Sequence, residues 1–168
     1  MKADFRAGSA WGPIPGPPPG WTWEALMDRA LELARSNADC EVPVGALVVD
    51  AHGRVLGEGV NAPIREHDPS AHAEIRALRD AGCALGNYRL GGCIMVVTLE
   101  PCLMCTGAIL HARLAGLVYG AEDARAGSIV SRLHGLDLPL AGHTVWHMGA
   151  VRGVECAALL RDFFSSRR

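Results

Sequence analysis

Three residues with strong affinity for transition metals occur in two short motifs. Cys102 and Cys105 are separated by two residues, a spacing that brings both thiols to nearly the same face of a helical turn. His72 lies about thirty residues earlier, two positions before Glu74. Two thiolates and one imidazole give zinc three protein ligands and leave its fourth position for water, which is typical of a catalytic site. The spacing therefore predicts a catalytic zinc centre.

Glu74 is the candidate for proton transfer at this centre. Because two thiolates neutralise the dication, its water should be less acidified than water held by three neutral imidazoles, and a carboxylate must take the proton. Residues two apart in mid-helix point about 200° away from each other. His72 and Glu74 can therefore share a pocket only where a helix begins, and we expect His72 at a helix N-terminus.

Each part of the pattern also has an ordinary interpretation. A lone Cys-x-x-Cys occurs in thioredoxin-like redox sites, a histidine can lie on the surface, and free cysteines are often small buried hydrophobes. The ordered combination favours the metal. The remaining histidines in the second half and the hairpin match no ligand spacing, and we expect surface or satisfied-polar roles for His52, His111, His134, His143 and His147. We expect burial for Cys40, Cys83, Cys93 and Cys156, and packing roles for Met95, Met104 and Met148.

The segments around these motifs alternate between helical and strand patterns. Helices are predicted from Thr22 to about Asp39, over 71–81 with Gly82 as the end, over about 102–113 and over about 154–164. Strands are predicted over 44–50, 54–60, 93–99, 117–119 and 144–148, with a hairpin at 51–53 and a loop over 61–70. This alternation predicts a three-layer α/β/α sandwich around one mixed, mainly five-stranded sheet.

Composition favours one catalytic domain. The chain has 168 residues, 49% hydrophobic and 20% charged, enough to bury a core. Five of the ten prolines lie within 13–19, so we predict a flexible lead over residues 1–20 and a single domain over 21–168. The alternative for the lead is a polyproline ligand for a partner.

Charge and hydropathy restrict location and partners. No apolar run reaches the ~20 residues of a membrane span and no export signal is evident, so we expect a cytoplasmic protein without membrane contact. Six cysteines in a reducing compartment are then poor support for disulfides. The net charge of −2 gives no global attraction to nucleic acid, so an RNA contact would rest on a local basic cluster.

The two motifs together resemble a known family. His-x-Glu followed by Pro-Cys-x-x-Cys, here 72–74 and 101–105, is the signature of zinc-dependent nucleobase deaminases with a cytidine deaminase-like fold. Longer stretches, in colinear order over about residues 22–168, resemble the bacterial tRNA-specific adenosine deaminases. These stretches are 41–45, 61–64, 67–75, 87–90, 98–105 and 155–164, with the trailing Arg167 and Arg168.

The resemblance implies a reaction, partners and residue roles. It implies hydrolytic conversion of adenosine to inosine at the wobble position of a tRNA, an arginine tRNA in this family, by zinc-activated water with a glutamate proton shuttle. It further implies a homodimer with one zinc per subunit that binds the anticodon loop. The metal ligands would be His72, Cys102 and Cys105 and the catalytic residue Glu74, with substrate contacts from Asn61, Ala73, Asp123, Arg125, Phe163 and Phe164.

One stretch departs from the family, and two alternatives stay open. Where the family usually has Gly-Ser-Leu, this chain has Val130-Ser131-Arg132, so the backbone path should differ, and Arg132 offers a phosphate contact instead. The first alternative is a zinc-dependent deaminase of a free nucleobase or nucleoside such as guanine or cytosine. The second is a zinc-stabilised RNA-binding or scaffold module that has lost catalysis, which would have no use for Glu74.

Overall fold

A mixed five-stranded sheet forms the centre of the protein. The structure, a computed structural model, describes residues 13–138 and 142–167. The strands are β1 (Gly45–Val49), β2 (Val55–Val60), β3 (Ile94–Leu99), β4 (Gly116–Ala121) and β5 (Trp146–Met148). Their order across the sheet is β2-β1-β3-β4-β5. The pairs β2–β1 and β1–β3 are antiparallel, and β3–β4 and β4–β5 are parallel.

Helices cover both faces of the sheet. They are α1 (Trp23–Arg35), α2 (Pro63–Glu66), α3 (Ala73–Leu85), α4 (Leu103–His111) and α5 (Gly153–Ser165), with a 3₁₀ turn at Gly135–Asp137. One apolar cluster joins α3 and α4 to one face, and a second joins α1 and α5 to the other. Neighbouring residues of β1 enter opposite clusters, Ala46 the first and Leu47 the second. The predicted α/β/α sandwich is confirmed.

Glycines bring α3 close to the sheet. A Cβ on Gly59 would lie 2.1 Å from the carbonyl oxygen of Ala73, and one on Gly57 would lie 2.4 Å from the amide nitrogen of Ala81. These contacts are far shorter than any van der Waals separation, so only glycine permits this approach. Because α3 begins next to His72, the same packing sets where the backbone of that residue lies.

Several predicted boundaries were wrong, for local reasons. Helix α3 passes through Gly82 and ends at Gly86, whose φ of 62° is the left-handed conformation of a helix C-terminus. Helix α1 ends at Arg35 instead of near Asp39. The predicted loop 61–70 contains the short helix α2, which starts with a proline at its first position.

The burial of some sulfur residues also differs from expectation. Cys93 and Cys156 are buried as predicted, whereas Cys40 and Cys83 are exposed. Cys40 lies in the turn after α1, and Cys83 lies on the outer side of α3, so neither faces a cluster. Met104 is 39% exposed, so the packing role expected for it is wrong.

The end of the proline-rich lead contacts the β1–β2 hairpin. Pro18 is buried, and its carbonyl accepts a hydrogen bond from the Trp21 amide at 3.1 Å. The Trp21 indole donates to the Gly53 carbonyl at 2.8 Å. Residues 1–12 of the predicted lead lie outside the described residues, and its boundary at residue 20 stays a prediction. Within 13–138 and 142–167, none of the helices combines the length and the apolar character needed to cross a membrane.

Candidate metal centre and active site

The three predicted metal ligands lie at the starts of two helices. His72 is the N-cap of α3 and Cys102 is the N-cap of α4, both in extended backbone conformation, and Cys105 lies in the first turn of α4. Helix N-termini carry positive dipole ends and favour anionic groups such as thiolates. The placement of His72 agrees with the helix start that the His-x-Glu spacing predicts.

The ligand atoms converge on one point. The Nδ1 atom of His72 lies 3.6 Å from the Sγ of Cys102 and 3.6 Å from the Sγ of Cys105. All three candidate atoms lie within 4.8 Å of one another. Among the described residues, this is the one group of three or more His, Cys, Asp or Glu side chains gathered in this way.

The two thiols differ strongly in acidity. A hydrogen bond from Cys105 lowers the pKa of Cys102 to about 4, and the nearby His72 adds to this effect. The shared hydrogen bond with Cys102, together with burial, raises the pKa of Cys105. The Cys102 contact also raises the pKa of His72. The pair of thiols therefore gives up one proton readily, and metal binding removes the other.

This donor set fits zinc. Soft thiolates with one imidazole are preferred zinc ligands, and three protein ligands leave one coordination position free for water. Glu74 does not belong to the converging group, so its carboxylate is free to act on a proton. The partial burial of His72 and the full burial of Cys105 restrict the surrounding water.

Glu74 is buried beside the ligands. It lies in the first turn of α3 and is 4% exposed. Burial is the largest influence on its carboxyl and raises its pKa, while a hydrogen bond from its own backbone amide opposes this shift. A carboxyl with a raised pKa holds a proton more readily than a solvent-exposed carboxyl, which suits proton transfer. Its burial beside the candidate ligands fits the role in proton transfer that the sequence predicts for Glu74.

Asn61 and Ala73 contact each other at the start of α3. The Asn61 Oδ1 atom accepts a hydrogen bond from the Ala73 amide at 3.0 Å, and its Nδ2 atom donates to the Val42 carbonyl at 3.1 Å. Asn61 thus caps α3 from outside the helix, because His72 makes no side-chain cap. Both predicted substrate residues lie directly beside the His72 ligand.

The buried carboxylate of Glu41 holds α2 on the same side of the molecule as Asn61. Glu41 is 2% exposed, and its Oε1 atom accepts hydrogen bonds from the amides of Ile64 at 3.0 Å and Arg65 at 2.9 Å. These are free amides of the first turn of α2. The Arg65 guanidinium donates to Asn37 Oδ1 at 3.1 Å, and Asn37 Nδ2 donates to the Asn61 carbonyl at 2.5 Å.

Asp123 and Arg125 lie in the loop that follows β4. Since β3 and β4 are parallel neighbours with Leu99 opposite Ala121, their carboxyl ends meet at the same edge of the sheet, next to Cys102. The Asp123 carboxylate accepts hydrogen bonds from the amides of Arg125 at 2.9 Å and Ala126 at 3.2 Å. Arg125 is exposed. The structure therefore brings this loop and the metal ligands to one edge.

The residues that depart from the family pattern, 130–132, are part of that loop. The amides of Val130 and Ser131 and the hydroxyl of Ser131 donate hydrogen bonds to the carboxylate of Glu100. The Arg132 Nε atom donates to the Ala124 carbonyl at 2.7 Å. Burial alone would raise the pKa of Glu100, but the hydrogen bonds from Ser131 and neighbouring amides outweigh it, so its pKa is lowered.

The aromatic pair at the C-terminus lies at the end of α5. The rings of Phe163 and Phe164 meet edge to face with centroids 5.2 Å apart, and the Arg167 guanidinium lies 3.8 Å from the Phe163 centroid. Arg167 also donates to the Asp39 carbonyl at 2.6 Å. Since Asn37 contacts Asn61, this short segment links the end of α5 to the metal side of the molecule.

Sequence reasoning missed Glu41 and Glu100 as organising residues of the site. Both are 2% exposed, and Glu41 accepts hydrogen bonds from two backbone amides and Glu100 from four. The one available signal for Glu100 was a carboxylate placed directly before Pro101 and the Cys102 ligand, in a stretch with few other charges.

The fold and this site define the class of the protein, the zinc-dependent deaminases. Residues 22–121 match the model of the cytidine and deoxycytidylate deaminase zinc-binding region, which is more than half of the chain. That region contains all three converging ligands and Glu74.

Individual relatives narrow the class. A tRNA-specific adenosine deaminase of Haemophilus influenzae is 47% identical over 146 residues, which cover 86% of this chain and 84% of that protein. A solved structure from work on A-to-I editing by tRNA:A34 deaminases at the wobble position matches with a TM-score of 0.77 and 40% identity, over 80% of this chain and 98% of that one. A guanine deaminase from Nitrosomonas europaea matches with a TM-score of 0.75 and 26% identity, over 84% of each chain. The chain belongs to the family of the tRNA-specific adenosine deaminases.

Proposed function

We propose that the protein hydrolyses adenosine to inosine at the wobble position of a tRNA, an arginine tRNA by its family resemblance. The carrying observation is the convergence of His72, Cys102 and Cys105 beside the buried Glu74, in a chain of this family. The reaction adds water at C6 of adenine and releases ammonia. The positions of the site residues support this proposal, and the roles assigned to them stay predictions.

In this mechanism the protein holds the metal and moves the protons. His72, Cys102 and Cys105 would hold zinc, whose Lewis acidity would make water a better nucleophile. Glu74 takes one proton from the attacking water and delivers it to the ring nitrogen. It then takes a second proton from the new C6 hydroxyl and passes it to the amine, which leaves as ammonia. Because Glu74 is almost fully buried, the proton stays within the site between these steps.

An unpaired anticodon base suits such a site. In a duplex the C6 position of adenine is hidden in the base stack, and extruding the base costs a few kcal/mol. A loop base can be swung out at much lower cost and read on its edges. Asn61 and the Ala73 amide are proposed to contact the nucleoside from one side, and Asp123 with Arg125 from the other.

The anticodon loop of the RNA is proposed to extend from the protein segments that contain Asn61 and Asp123 toward α5. Phe163 and Phe164 supply rings on which unpaired bases can stack. Phe164 is 47% exposed, and Arg167 adds positive charge at the same helix end. The alternative that this end is merely a solvated helix terminus predicts no loss of RNA binding when Phe164 is changed. A cytoplasmic location is part of the proposal, since a tRNA substrate is met there.

A substrate assay tests the proposed activity. The zinc-loaded protein is incubated with an arginine-tRNA anticodon stem-loop that carries a wobble adenosine, and separately with guanine, cytosine, cytidine and adenosine. We expect inosine only in the RNA, at the wobble position, by nucleoside analysis, and no ammonia from the small substrates. A stem-loop with guanosine at that position is the matched control. Ammonia from guanine or cytosine alone would instead establish the alternative suggested by the guanine deaminase neighbour.

We further propose that the enzyme is a homodimer with one zinc per subunit. Its support is the resemblance, together with apolar side chains exposed at the start of α4, where Leu103 is 56% and Met104 39% exposed beside the Cys102 ligand. Sedimentation should give about twice the 17.8 kDa of one chain. Leu103→Glu should shift the mass toward the monomer, whereas Val154→Glu, at another exposed apolar residue, should not. A monomer mass for the unaltered protein would contradict this proposal.

A further inference from the structure

The carboxylate of Glu100 organises the loop that follows β4. Its Oε1 atom accepts hydrogen bonds from three successive amides, those of Ile129 at 2.9 Å, Val130 at 2.8 Å and Ser131 at 3.0 Å. Its Oε2 atom accepts one from the Asp123 amide at 3.0 Å and another from the Ser131 hydroxyl. Five donors from both ends of the loop therefore meet on a single side chain.

This carboxylate is satisfied by dipoles alone. Glu100 is 2% exposed, and within the described residues it forms no ion pair. A buried carboxylate without hydrogen bonds would be very costly, so the five donors and the charge require one another. The loop geometry is consequently tied to the presence of this charge.

Glu100 also connects the loop to a metal ligand. Its own amide donates to the Ala121 carbonyl at 2.8 Å, which joins the ends of β3 and β4. One residue further on, the Pro101 carbonyl accepts from the Ser128 amide at 2.8 Å, and Cys102 forms an isolated bridge with Gly127. The backbone that carries the Cys102 thiol is thus bonded directly to the loop.

The loop packs closely against the carboxylate at Gly127. A Cβ on Gly127 would lie 2.3 Å from Glu100 Oε2 and 2.7 Å from the Asp123 carbonyl. Glycine at this position lets the loop close over Glu100. Asp123 is therefore fixed by its amide on Glu100, while its own side chain turns the chain toward Arg125.

We propose that Glu100 is a positioning residue that holds the 123–131 loop against the metal ligands and so sets the place at which Asp123 and Arg125 meet the nucleic acid substrate. This rests on the proposed function for the nature of the substrate. Glu100 itself touches neither substrate nor metal. It acts through the loop, so its loss affects substrate binding more than the chemical step.

The test replaces Glu100 by glutamine, which keeps the shape and one acceptor. The remaining oxygen can serve the three amides on the Oε1 side, whereas the new NH₂ group faces the Asp123 amide, donor against donor. Hydrogen exchange resolved at single amides should show faster exchange at Asp123, with zinc still at one per chain. Gly127→Ala should speed exchange at the same amide, because its methyl group displaces the carboxylate from the other side.

Binding and kinetics then report on the substrate. In chains that also carry Glu74→Ala, the Kd for a fluorescent anticodon stem-loop should rise about tenfold with Glu100→Gln, which is about 1.4 kcal/mol. In chains with Glu74 intact, KM should rise about tenfold with kcat within about threefold.

The control is Glu122→Gln, which removes the same charge from an exposed neighbour. Loss of a negative charge alone would favour RNA binding, so the control should bind as well as the parent or tighter, the opposite direction from Glu100→Gln. Unchanged exchange at Asp123 and a Kd within about twofold of the parent would overturn the role of Glu100. If the parent with Glu74→Ala failed to bind the stem-loop, the proposed function would fail, and exchange at Asp123 would still decide whether Glu100 fixes the loop.

Discussion

Glu74→Gln should abolish turnover while leaving zinc at one per chain. Glutamine has nearly the same shape as glutamate but cannot accept and return a proton, and such transfer contributes roughly 10²–10⁴-fold to rates. The fold should survive, because a neutral amide replaces a buried carboxyl that already pays for desolvation. Single-turnover deamination of the stem-loop, with metal content from the same preparation, measures both effects.

Two further observations sharpen this experiment. Glu32→Gln, on the exposed side of α1, makes the same chemical change away from the site and should leave activity intact. Loss of zinc in Glu74→Gln would mean that Glu74 is a ligand, in conflict with its place outside the converging group. Turnover above a tenth of the parent rate would refute its role as proton shuttle.

Cys105→Ser should remove both the metal and part of the stability. Cys105 is fully buried in the first turn of α4, and a serine hydroxyl binds zinc far more weakly than a thiolate. Binding of the metal to the folded state is folding free energy, so its loss lowers the melting temperature. We expect zinc to fall from one per chain to near zero, and activity to fall with it, by metal analysis and thermal unfolding.

A chelator separates the metal from the packing in this result. Chelation of the parent protein should lower its melting temperature nearly to that of Cys105→Ser, because both lack zinc. Cys83→Ser is the matched control, since Cys83 is an exposed free thiol. It should keep one zinc per chain and full activity. A Cys105→Ser protein that retains zinc would show that the metal is held by other residues.

The candidate metal centre could be predicted from the sequence because its residues are placed by local geometry. The His-x-Glu and Cys-x-x-Cys spacings place their side chains through the geometry of a single helical turn, and the structure finds His72 and Cys102 at two helix starts. The helices and strands could be predicted equally locally, since a buried face gives a periodic pattern of apolar residues along the sequence. The boundaries failed where one residue decided them, as at Gly86, whose left-handed conformation ends α3 beyond Gly82.

The surroundings of the centre were decided by tertiary structure. Glu100 contacts amides about 23 to 31 residues away, and Glu41 contacts amides about 23 residues away, through pairings that leave no periodic trace. The exposure of Cys40 and Cys83 likewise depends on where each element docks. The sequence by itself was enough to predict the three candidate ligands, the candidate proton shuttle and the alternation of elements. Only the parallel pairing of β3 with β4 decided that Glu100, Cys102 and Asp123 share one edge, because hydrogen bonds between distant segments exist only once the sheet has brought them together.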